Sequence, residues 1–258
     1  MEPIYERVFE ITSADTDRYG RLKSSHLLSF LQEVAGDHSA ILGTDREKLM
    51  QKNLFWAVIR HRVQITRLPG SGEKITVQTW PMPTTRTAYP RSTVAYDEAG
   101  NECFRGISLW VLMDAESRAM VLPGKSGVNV AGMLTGSELA APGSMALQNA
   151  GQTLGRTVRY TDLDINGHMN NCRYLDWVED TLPGSFHEGH SVSEFTVNYM
   201  TEAREGEDLN LLYQLTDGPC LGVDHTRTEK EGAGRKTCMV ALMHINETSL
   251  VASMPFAS

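Results

Sequence analysis

The chain has 258 residues, of which 41% are hydrophobic and 22% are charged, and glycine and proline are spread along its length. This composition is typical of a folded globular protein and excludes a disordered or fibrous one. The formal net charge of −8 argues against a nucleic-acid-binding protein, because such proteins normally present a basic face.

No apolar run approaches the roughly 18 residues that are needed to cross a bilayer. The N-terminal sequence MEPIYERVFEITSAD lacks the basic and apolar regions of a signal peptide. The cysteines have no CxxC spacing, which favours reduced thiols over a disulfide framework or a zinc site. They are Cys103, Cys172, Cys220 and Cys238. We therefore expect a cytoplasmic protein that has no membrane span.

The first predicted helix covers SSHLLSFLQEVAGDHSAILG, after a short strand and a polar loop. Ser24 or Ser25 can cap its start and Gly43 can end it. Nearly one whole face is apolar, so the helix is predicted to be central. The residues that recur at helical spacing are Leu27, Leu28, Leu31, Val34, Ala35, His38, Ile41 and Leu42.

Strands follow this helix, and a segment rich in Gly, Ser, Ala and Pro follows the strands. The last two strands, RSTVAYDEAGNECFRGISLWVLM, form a predicted hairpin that turns at residues 97–101. The segment LPGKSGVNVAGMLTGSELAAPGSMALQNAGQ then predicts a linker with one helical turn. We place the domain boundaries at 1–130 and 151–258, with residues 131–150 as the linker.

The second half of the chain repeats the first. DTDRYGRLKSSHLLSFLQEV aligns with DLDINGHMNNCRYLDWVEDT, and RVQITRLPGSGEKITVQ aligns without a gap with TVNYMTEAREGEDLNLL. The matched pairs are Asp15 with Asp162, Asp17 with Asp164, Gly20 with Gly167, Val63 with Val197, Gly72 with Gly206, and Glu73 with Glu207. The second half also ends in a predicted hairpin, which turns near residues 232–234.

The second predicted helix is shorter than the first. Leu175, Val178 and Leu182 mark its inner face, Asn170 or Asn171 offers a cap, and Pro-Gly at 183–184 stops it. One helix followed by antiparallel strands, present twice, predicts an α+β protein in which each sheet wraps a hydrophobic helix. Two such units in one chain form an internal pseudo-dimer.

The sequence TDLDINGHMNNCRYLDWVED allows three interpretations. It begins like a calcium-binding loop, but the twelfth position, which must supply a bidentate carboxylate, is Arg173. Asp and Asn are also ordinary residues of strand-to-helix connections, where they make side-chain turns and caps. The third interpretation, a catalytic site, rests on how this copy differs from the first.

The two copies diverge at polar positions. Asn166 aligns with Tyr19, and His168 aligns with Arg21. Further along, Glu202 aligns with Leu68, so a carboxylate replaces an apolar side chain. The second half thus carries a polar set that the first half lacks.

DLDINGHMNNCRYLDWVED and VNYMTEA together resemble the acyl-acyl carrier protein thioesterases of fatty-acid synthesis. The pattern of that family is D-x-N-x-H-x-N-N-x-x-Y-x-x-W, followed further along by Y-x-x-E. The likeness extends to LLSFLQEVAGDHS, LPGSGEKITVQTWP and DEAGNECFRGISLWVLMD, and so covers most of the chain. It implies a tandem (double) hot-dog fold, in which two antiparallel sheets each wrap a long helix.

The resemblance implies hydrolysis of a fatty acyl-acyl carrier protein thioester, which ends fatty-acid synthesis and needs no metal or cofactor. The residues that match the family's catalytic positions are Asp164, Asn166, His168 and Glu202. Plant members usually carry cysteine after the glutamate, whereas this chain has Ala203, so thiol attack from that position is ruled out. The plastid transit peptide of plant members is also absent, which suggests a bacterial type.

Several mechanistic expectations follow from the chemistry of a thioester. The two carboxylates either activate a water molecule or attack directly to form an anhydride. Asn166 positions the carbonyl or the water, and His168 binds a carboxylate or transfers a proton. Backbone N–H groups at 167–170 are expected to stabilise the oxyanion.

An apolar tunnel for the acyl chain is expected in the first half. Phe30, Leu31 and Trp56 are candidates for its lining, although residues of this kind are more often plain core. The expected partner is acyl carrier protein, met by basic stretches at 60–67 and 86–91. For the first stretch, a solvated strand face is the more ordinary interpretation, because alternating charge is common on exposed strands. No nucleic acid partner is expected, and the protein is expected to be a monomer or a homodimer.

Two rival functions are a thioesterase that acts on coenzyme A thioesters and a non-catalytic acyl-binding module. The first rival needs the same site, but a nucleotide pocket in place of a surface for the carrier protein. The second is disfavoured because a buried carboxylate without a role would cost stability.

Overall fold

The computed structural model describes residues 3–145, 152–216, 220–227 and 236–247. The elements of the first half are β1 (Tyr5–Glu10), α1 (Ser24–Ile41), α2 (Arg46–Met50), β2 (Leu54–Ile65), β3 (Lys74–Pro81), β4 (Tyr89–Asp97), β5 (Glu102–Asp114), β6 (Met120–Val121) and α3 (Pro123–Ser126). Those of the second half are β7 (Gln152–Thr157), a 3-10 turn (Tyr160–Asp162), α4 (Arg173–Glu179), α5 (Phe186–Gly189), β8 (His190–Tyr199), β9 (Asp208–Thr216), β10 (Cys220–Arg227) and β11 (Lys236–Glu247).

The strands of both halves form one continuous antiparallel sheet. Its order is β1-β3-β4-β5-β2-β8-β11-β10-β9-β7, and β6 pairs with β5. The halves join where β2 pairs with β8, and the ion pair between Arg62 and Glu194, 2.8 Å long, lies across this junction. The two predicted sheets are therefore the two halves of a single sheet, and the predicted α+β class is confirmed.

Helix α1 is the centre of the first half, as its apolar face predicts. Leu27, Leu28 and Val34 are fully buried and pack in the main hydrophobic core. Each such burial contributes about 1.5–3 kcal/mol to stability relative to exposure. Helix α1 ends just before Gly43, whose φ of +71° suits a glycine after a helix. The predicted serine cap is wrong, because the N-cap position is Lys23 and no side chain caps it.

Helix α4 is the short counterpart of α1. It has seven residues and buries Leu175 and Val178 completely. Leu182 lies beyond its end and is only partly buried. The side chain of Asn170 accepts a hydrogen bond of 2.9 Å from the N–H of Cys172, in the turn that precedes the helix. Within the residues that the structure describes, the first half has a long helix within its sheet and the second half has only the short α4.

The sequence repeat corresponds to a repeat of backbone geometry. Gly72 and Gly206 both have positive φ, at +87° and +78°. Their N–H groups donate to the carbonyls of Ile11 and Val158 at 2.7 and 2.9 Å. The predicted turn at 97–101 is also present, with a hydrogen bond from the Asp97 N–H to the Asn101 carbonyl. The second predicted hairpin turn, near residues 232–234, lies outside the described residues.

The segment between the halves contains the single predicted helical turn, α3, and is otherwise irregular from 127 to 145. It runs close to the sheet: the Met133 N–H donates to the carbonyl of Pro81 at 3.0 Å. A side chain at Gly132 would lie only 2.2 Å from the backbone of Met82. Among the helices of the described residues, none has the length and apolar character required to span a membrane.

Candidate active site

Asp164 organises a tight turn between the 3-10 turn and α4. Its N–H donates to the carbonyl of His168 at 2.8 Å, and the Gly167 N–H donates to its carbonyl at 3.0 Å. Gly167 has a φ of +73°, a conformation that favours glycine. The Asp164 carboxylate accepts hydrogen bonds from the backbone N–H of Asn166 (2.8 Å), its side-chain amide (3.2 Å) and the N–H of His168 (3.3 Å). The Asp164 side chain thus fixes the backbone that carries Asn166 and His168.

The corresponding loop of the first half has the same backbone hydrogen bonds but carries different side chains. Asp17 accepts from the N–H groups of Tyr19 and Arg21 at 2.8 and 3.0 Å. The Arg21 guanidinium then donates to Asp17 and to the carbonyls of His187 and His190. This first loop therefore ties the two halves together, and its arginine occupies the position of His168.

His168 and Glu202 meet although they are far apart in sequence. The imidazole Nε2 lies 3.2 Å from the carboxylate Oε2. A hydrogen bond of 2.8 Å from the Met169 N–H to the Ala203 carbonyl aligns the two segments that carry them. The imidazole is 16% exposed and the carboxylate is 44% exposed. The expectation of a buried carboxylate is thus wrong for Glu202, because this side chain stands at the surface.

Arg118 is a member of this cluster that the sequence did not reveal. It lies in the turn between β5 and β6, in the first half, and its guanidinium forms an ion pair with the second oxygen of Glu202. The same guanidinium stacks on the ring of Phe55, 4.6 Å from its centre. Arg118 has a φ of +57°, which is uncommon for a residue with a side chain. A single arginine in a turn gives no sequence signal, since its role depends on contact with the other half.

No described thiol is suited to act as the nucleophile. The Ala203 position, where plant members usually have cysteine, is fully buried. Cys172 lies close to the site in sequence, but burial raises the pKa of its thiol to about 11. A thiol with that pKa is protonated at neutral pH and is a poor nucleophile. The candidates for catalysis are therefore the polar side chains of Asp164, Asn166, His168 and Glu202.

The backbone amides expected to form an oxyanion hole are already used. The N–H groups of Gly167 and His168 bond to Asp164, that of Met169 to Ala203, and that of Asn170 to the carbonyl of Asp162. The expectation is therefore wrong for this structure, because the turn consumes these donors. Helix α4 also begins only at Arg173.

A cavity of about 360 Å³ lies in the first half, between α1 and the sheet. Trp56 lines this cavity, and its indole N–H donates to the carbonyl of Thr44 at 2.8 Å. That the cavity is the acyl tunnel stays a prediction. Phe30 and Leu31 lie in the main core instead, where Phe30 stacks on Phe9 at 4.4 Å. Their assignment to an acyl tunnel stays a prediction.

The basic stretches are largely engaged within the protein. Arg60 donates to the carbonyl of Pro142, and Arg67 pairs with Glu73. Burial lowers the pKa of His61 to about 3, so this side chain is neutral at physiological pH. Arg62 pairs with Glu194 across the sheet junction, Arg91 is buried, and Arg86 is exposed. A continuous basic face along 60–67 is therefore not available to a partner.

The family models of the acyl-ACP thioesterase N-terminal and C-terminal domains match residues 2–122 and 146–246. The chain belongs to the acyl-ACP thioesterase family. It is 27% identical over 232 residues to a chloroplastic dodecanoyl-[acyl-carrier-protein] hydrolase of Cinnamomum camphora, which covers 83% of this chain and 60% of that protein. It is 26% identical over 229 residues to a chloroplastic palmitoyl-acyl carrier protein thioesterase of Gossypium hirsutum, with 83% and 55% covered. The chain thus spans little more than half the length of these plant relatives.

Solved structures share this fold. An acyl-ACP thioesterase from Bacteroides thetaiotaomicron superposes with a TM-score of 0.85 at 22% identity, covering 95% of this chain and 98% of that one. A 12:0-ACP thioesterase from Umbellularia californica superposes with a TM-score of 0.78 at 24% identity, covering 96% and 99%. The tandem hot-dog arrangement predicted from the sequence is confirmed.

Proposed function

We propose that this protein hydrolyses the thioester of a fatty acyl-acyl carrier protein and releases a free fatty acid. The observation that carries the proposal is the contact of 3.2 Å between His168 and Glu202. Both residues stand where the first half has other chemistry, Arg21 and Leu68. Membership of the acyl-ACP thioesterase family supports the same reaction.

In the proposed mechanism, His168 and Glu202 activate a water molecule. The water oxygen attacks the thioester carbonyl carbon and gives its proton to this pair. When the carbon–sulfur bond breaks, the carrier thiolate takes that proton and leaves as the thiol. Imidazole is suited to this exchange because it gains and loses a proton near neutral pH.

Asn166 is the proposed donor to the carbonyl oxygen. Its side chain is exposed, and one amide hydrogen bonds to Asp164 at 3.2 Å. An amide group has two hydrogens, so the second can meet the developing oxyanion. In this mechanism, Asp164 fixes the orientation of Asn166, and its negative charge contributes to the electrostatic environment of the site.

A direct attack by a carboxylate, which would form an anhydride with the acyl group, uses the same residues. The two routes differ in the origin of the oxygen in the product. In a single turnover in ¹⁸O-water, direct water attack places ¹⁸O in the fatty acid. An anhydride that water opens at the protein carbonyl places ¹⁸O in the enzyme carboxylate, which mass spectrometry of the peptide with Glu202 or Asp164 would detect.

We propose that residues 1–130 bind the acyl chain and that residues 151–258 carry the catalytic residues. The cavity under α1 supports this division, because aromatic side chains such as Trp56, Tyr89 and Trp110 line it. We also propose a cytoplasmic location, in keeping with the free thiols of Cys103 and Cys172.

The decisive experiment measures thiol release from matched acyl carrier protein and coenzyme A thioesters of eight to eighteen carbons. Preference for the carrier-linked series supports the proposal. Equal or better turnover of the coenzyme A series would assign the protein to the rival class of thioesterases. Bound acyl chain without thiol release would identify a non-catalytic module. Glu205→Gln, an exposed carboxylate in the same turn as Glu202, is the matched control for Glu202→Gln.

A further inference from the structure

The proposed catalytic pair depends on how two segments meet, the loop 164–171 and the segment that follows β8. One main-chain hydrogen bond joins them, from the N–H of Met169 to the carbonyl of Ala203 at 2.8 Å. The first half has the same bond at the aligned positions, from the N–H of Leu22 to the carbonyl of Pro69, also at 2.8 Å. This bond therefore belongs to the repeated fold and does not distinguish the half that carries the site.

A side chain makes a second link between these segments in the second half. The hydroxyl of Tyr199, the last residue of β8, donates to the carbonyl of Asn171 at 3.0 Å. Tyr199 lies three residues before Glu202, and Asn171 lies three residues after His168. The residue of the first half that aligns with Tyr199 is Ile65, whose side chain has no hydrogen-bond donor. The first half therefore lacks this link, as it lacks the histidine and the glutamate.

Rings from both halves hold the ring of Tyr199, which packs against the main hydrophobic core. The ring of His61, on β2, lies nearly perpendicular to it with the ring centres 5.9 Å apart. The ring of Tyr174, on α4, also lies 5.9 Å away. His61 is itself fully buried, and its Nδ1 is 2.8 Å from the hydroxyl of Ser108 on β5. A ring packed in this way has little freedom to turn, so its hydroxyl is directed at one place.

The hydroxyl of Tyr199 is suited to hold the loop and not to take part in the chemistry. Burial raises the pKa of Tyr199 well above its ordinary value, so the hydroxyl keeps its proton throughout the physiological pH range. A hydroxyl has one hydrogen to donate, and this one is used in the bond to Asn171. Any effect of the hydroxyl on the reaction therefore acts through the position of the loop.

We propose that Tyr199 is a positioning residue, whose hydrogen bond to Asn171 fixes the separation of the two segments that carry His168 and Glu202. The inference rests on the proposed function and adds a residue to it. Reaction rates are sensitive to such a separation, because a displacement of about 1 Å can reduce the rate about 100-fold. The main-chain bond that both halves share leaves the far end of the loop free to shift, and the tyrosine hydroxyl holds that end.

The first test is steady-state kinetics of Tyr199→Phe, which removes the hydroxyl and keeps the ring. We expect kcat to fall about 10- to 100-fold and KM for acyl carrier protein thioesters to change less than about twofold, because the hydroxyl does not contact the substrate. Tyr19→Phe is the matched control, since the Tyr19 hydroxyl also donates to a main-chain carbonyl, that of Gly184, at 3.2 Å. Its kcat should not change. Equal losses of kcat in both variants, or an unchanged kcat in folded Tyr199→Phe, would overturn the inference.

Replacement by unnatural amino acids separates the hydrogen bond from the packing of the ring. At position 199, para-aminophenylalanine keeps a donor at the end of the ring, and para-methylphenylalanine fills the same space without a donor. We expect the amino compound to keep at least about half of the wild-type kcat and the methyl compound to lose as much as Tyr199→Phe. Both compounds fill the space of the hydroxyl, so they keep the test available if Tyr199→Phe does not fold. Equal kcat with the two compounds would overturn the inference.

A spectroscopic measurement needs no turnover and so separates this inference from the proposed function. The ¹⁵N chemical shifts of the His168 imidazole report its contact with Glu202, and Glu202→Gln supplies the reference for an altered contact. We expect the shifts in Tyr199→Phe to move from the wild-type values toward those of Glu202→Gln, and the shifts in Tyr19→Phe to stay at the wild-type values. Wild-type shifts in Tyr199→Phe would overturn the inference. Absence of turnover in the wild type would refute only the proposed function.

Discussion

Arg118 and Glu202 form an ion pair that joins the two halves of the chain at the candidate site. Glu202 holds His168 with one carboxylate oxygen and Arg118 with the other. The first half thus supplies a cation to a cluster whose other members lie in the second half. The orientation of Glu202 therefore depends on the way the halves pack.

We expect Arg118→Met to lower kcat by about 10- to 100-fold, because a Glu202 carboxylate that has lost this ion pair samples unproductive orientations. The free energy of unfolding should change by no more than about 1 kcal/mol, since the pair is half exposed. Steady-state kinetics with acyl carrier protein thioesters and urea denaturation measure the two effects.

Arg156→Met is a closely matched control for this change. Arg156 also pairs with a carboxylate, that of Asp180, and also stacks on an aromatic ring, 4.6 Å from the centre of Trp177. It lies outside the cluster, so kcat should not change. Equal losses of kcat in both variants, or none in Arg118→Met, would contradict a positioning role for Arg118.

His168→Ala and Glu202→Gln should each reduce kcat by about 10²- to 10⁴-fold, the usual contribution of positioned proton transfer. Because the two side chains act as one unit, the double variant should be little worse than either single variant. Rapid-quench measurement of the hydrolysis step gives these values. Losses that multiply in the double variant would show that the two residues act independently.

The repeat provides a test that separates structure from catalysis at Asp164. Asp17 and Asp164 make equivalent backbone hydrogen bonds, so Asp17→Asn and Asp164→Asn should each cost about 0.5–1.5 kcal/mol of stability, and Asp17→Asn should cost more because it also weakens the ion pair with Arg21. Only Asp164→Asn should also reduce turnover, because only its loop carries Asn166 and His168. Equal activity of the two variants would show that Asp164 has only a structural role in the turn.

Much of this architecture could be predicted because it depends on local pattern. The apolar face of α1 and the aligned glycines of the two halves determine backbone geometry within short segments, and both were predictable. The divergence of His168 from Arg21 was visible for the same reason. Local pattern also gives the type of an element with more certainty than its cap, since the N-cap of α1 is Lys23 and not the predicted Ser24 or Ser25.

The remaining features depend on contacts between distant segments. Arg118 lies 84 residues from Glu202 in sequence, and nothing in its turn indicates a partner. The joining of both sheets through β2 and β8 depends on strand edges that alternation cannot distinguish. Of the amides at 167–170, the one whose use depends on a distant segment is that of Met169, which donates to the carbonyl of Ala203.

Cys172 gives a prediction about thiol reagents. Its sulfur is buried against Ser29 and Gln32, at 3.5 Å from each polar atom, and its pKa is raised to about 11 by burial. We expect Cys172→Ser to keep at least about half of wild-type kcat, since chemistry does not pass through this thiol. Iodoacetamide at pH 7 should leave Cys172 unmodified by peptide mass spectrometry. Rapid alkylation of Cys172 would show that the thiol is accessible and reactive.

Glu179, at the end of α4, makes stability depend on pH. Burial, with the neighbouring charges of Asp176 and Asp17, raises its pKa from 4.5 to about 7. The folded protein therefore binds a proton more tightly here than the unfolded chain does. The free energy of unfolding contributed by this group falls as pH rises from 4.5 to about 7, by at most about 3 kcal/mol. Glu179→Gln should match the wild type in urea denaturation at pH 4.5 and exceed it at pH 8. Glu188→Gln, an exposed carboxylate on α5, should show no such difference between the two pH values, and an identical pH profile for Glu179→Gln and the wild type would refute the raised pKa.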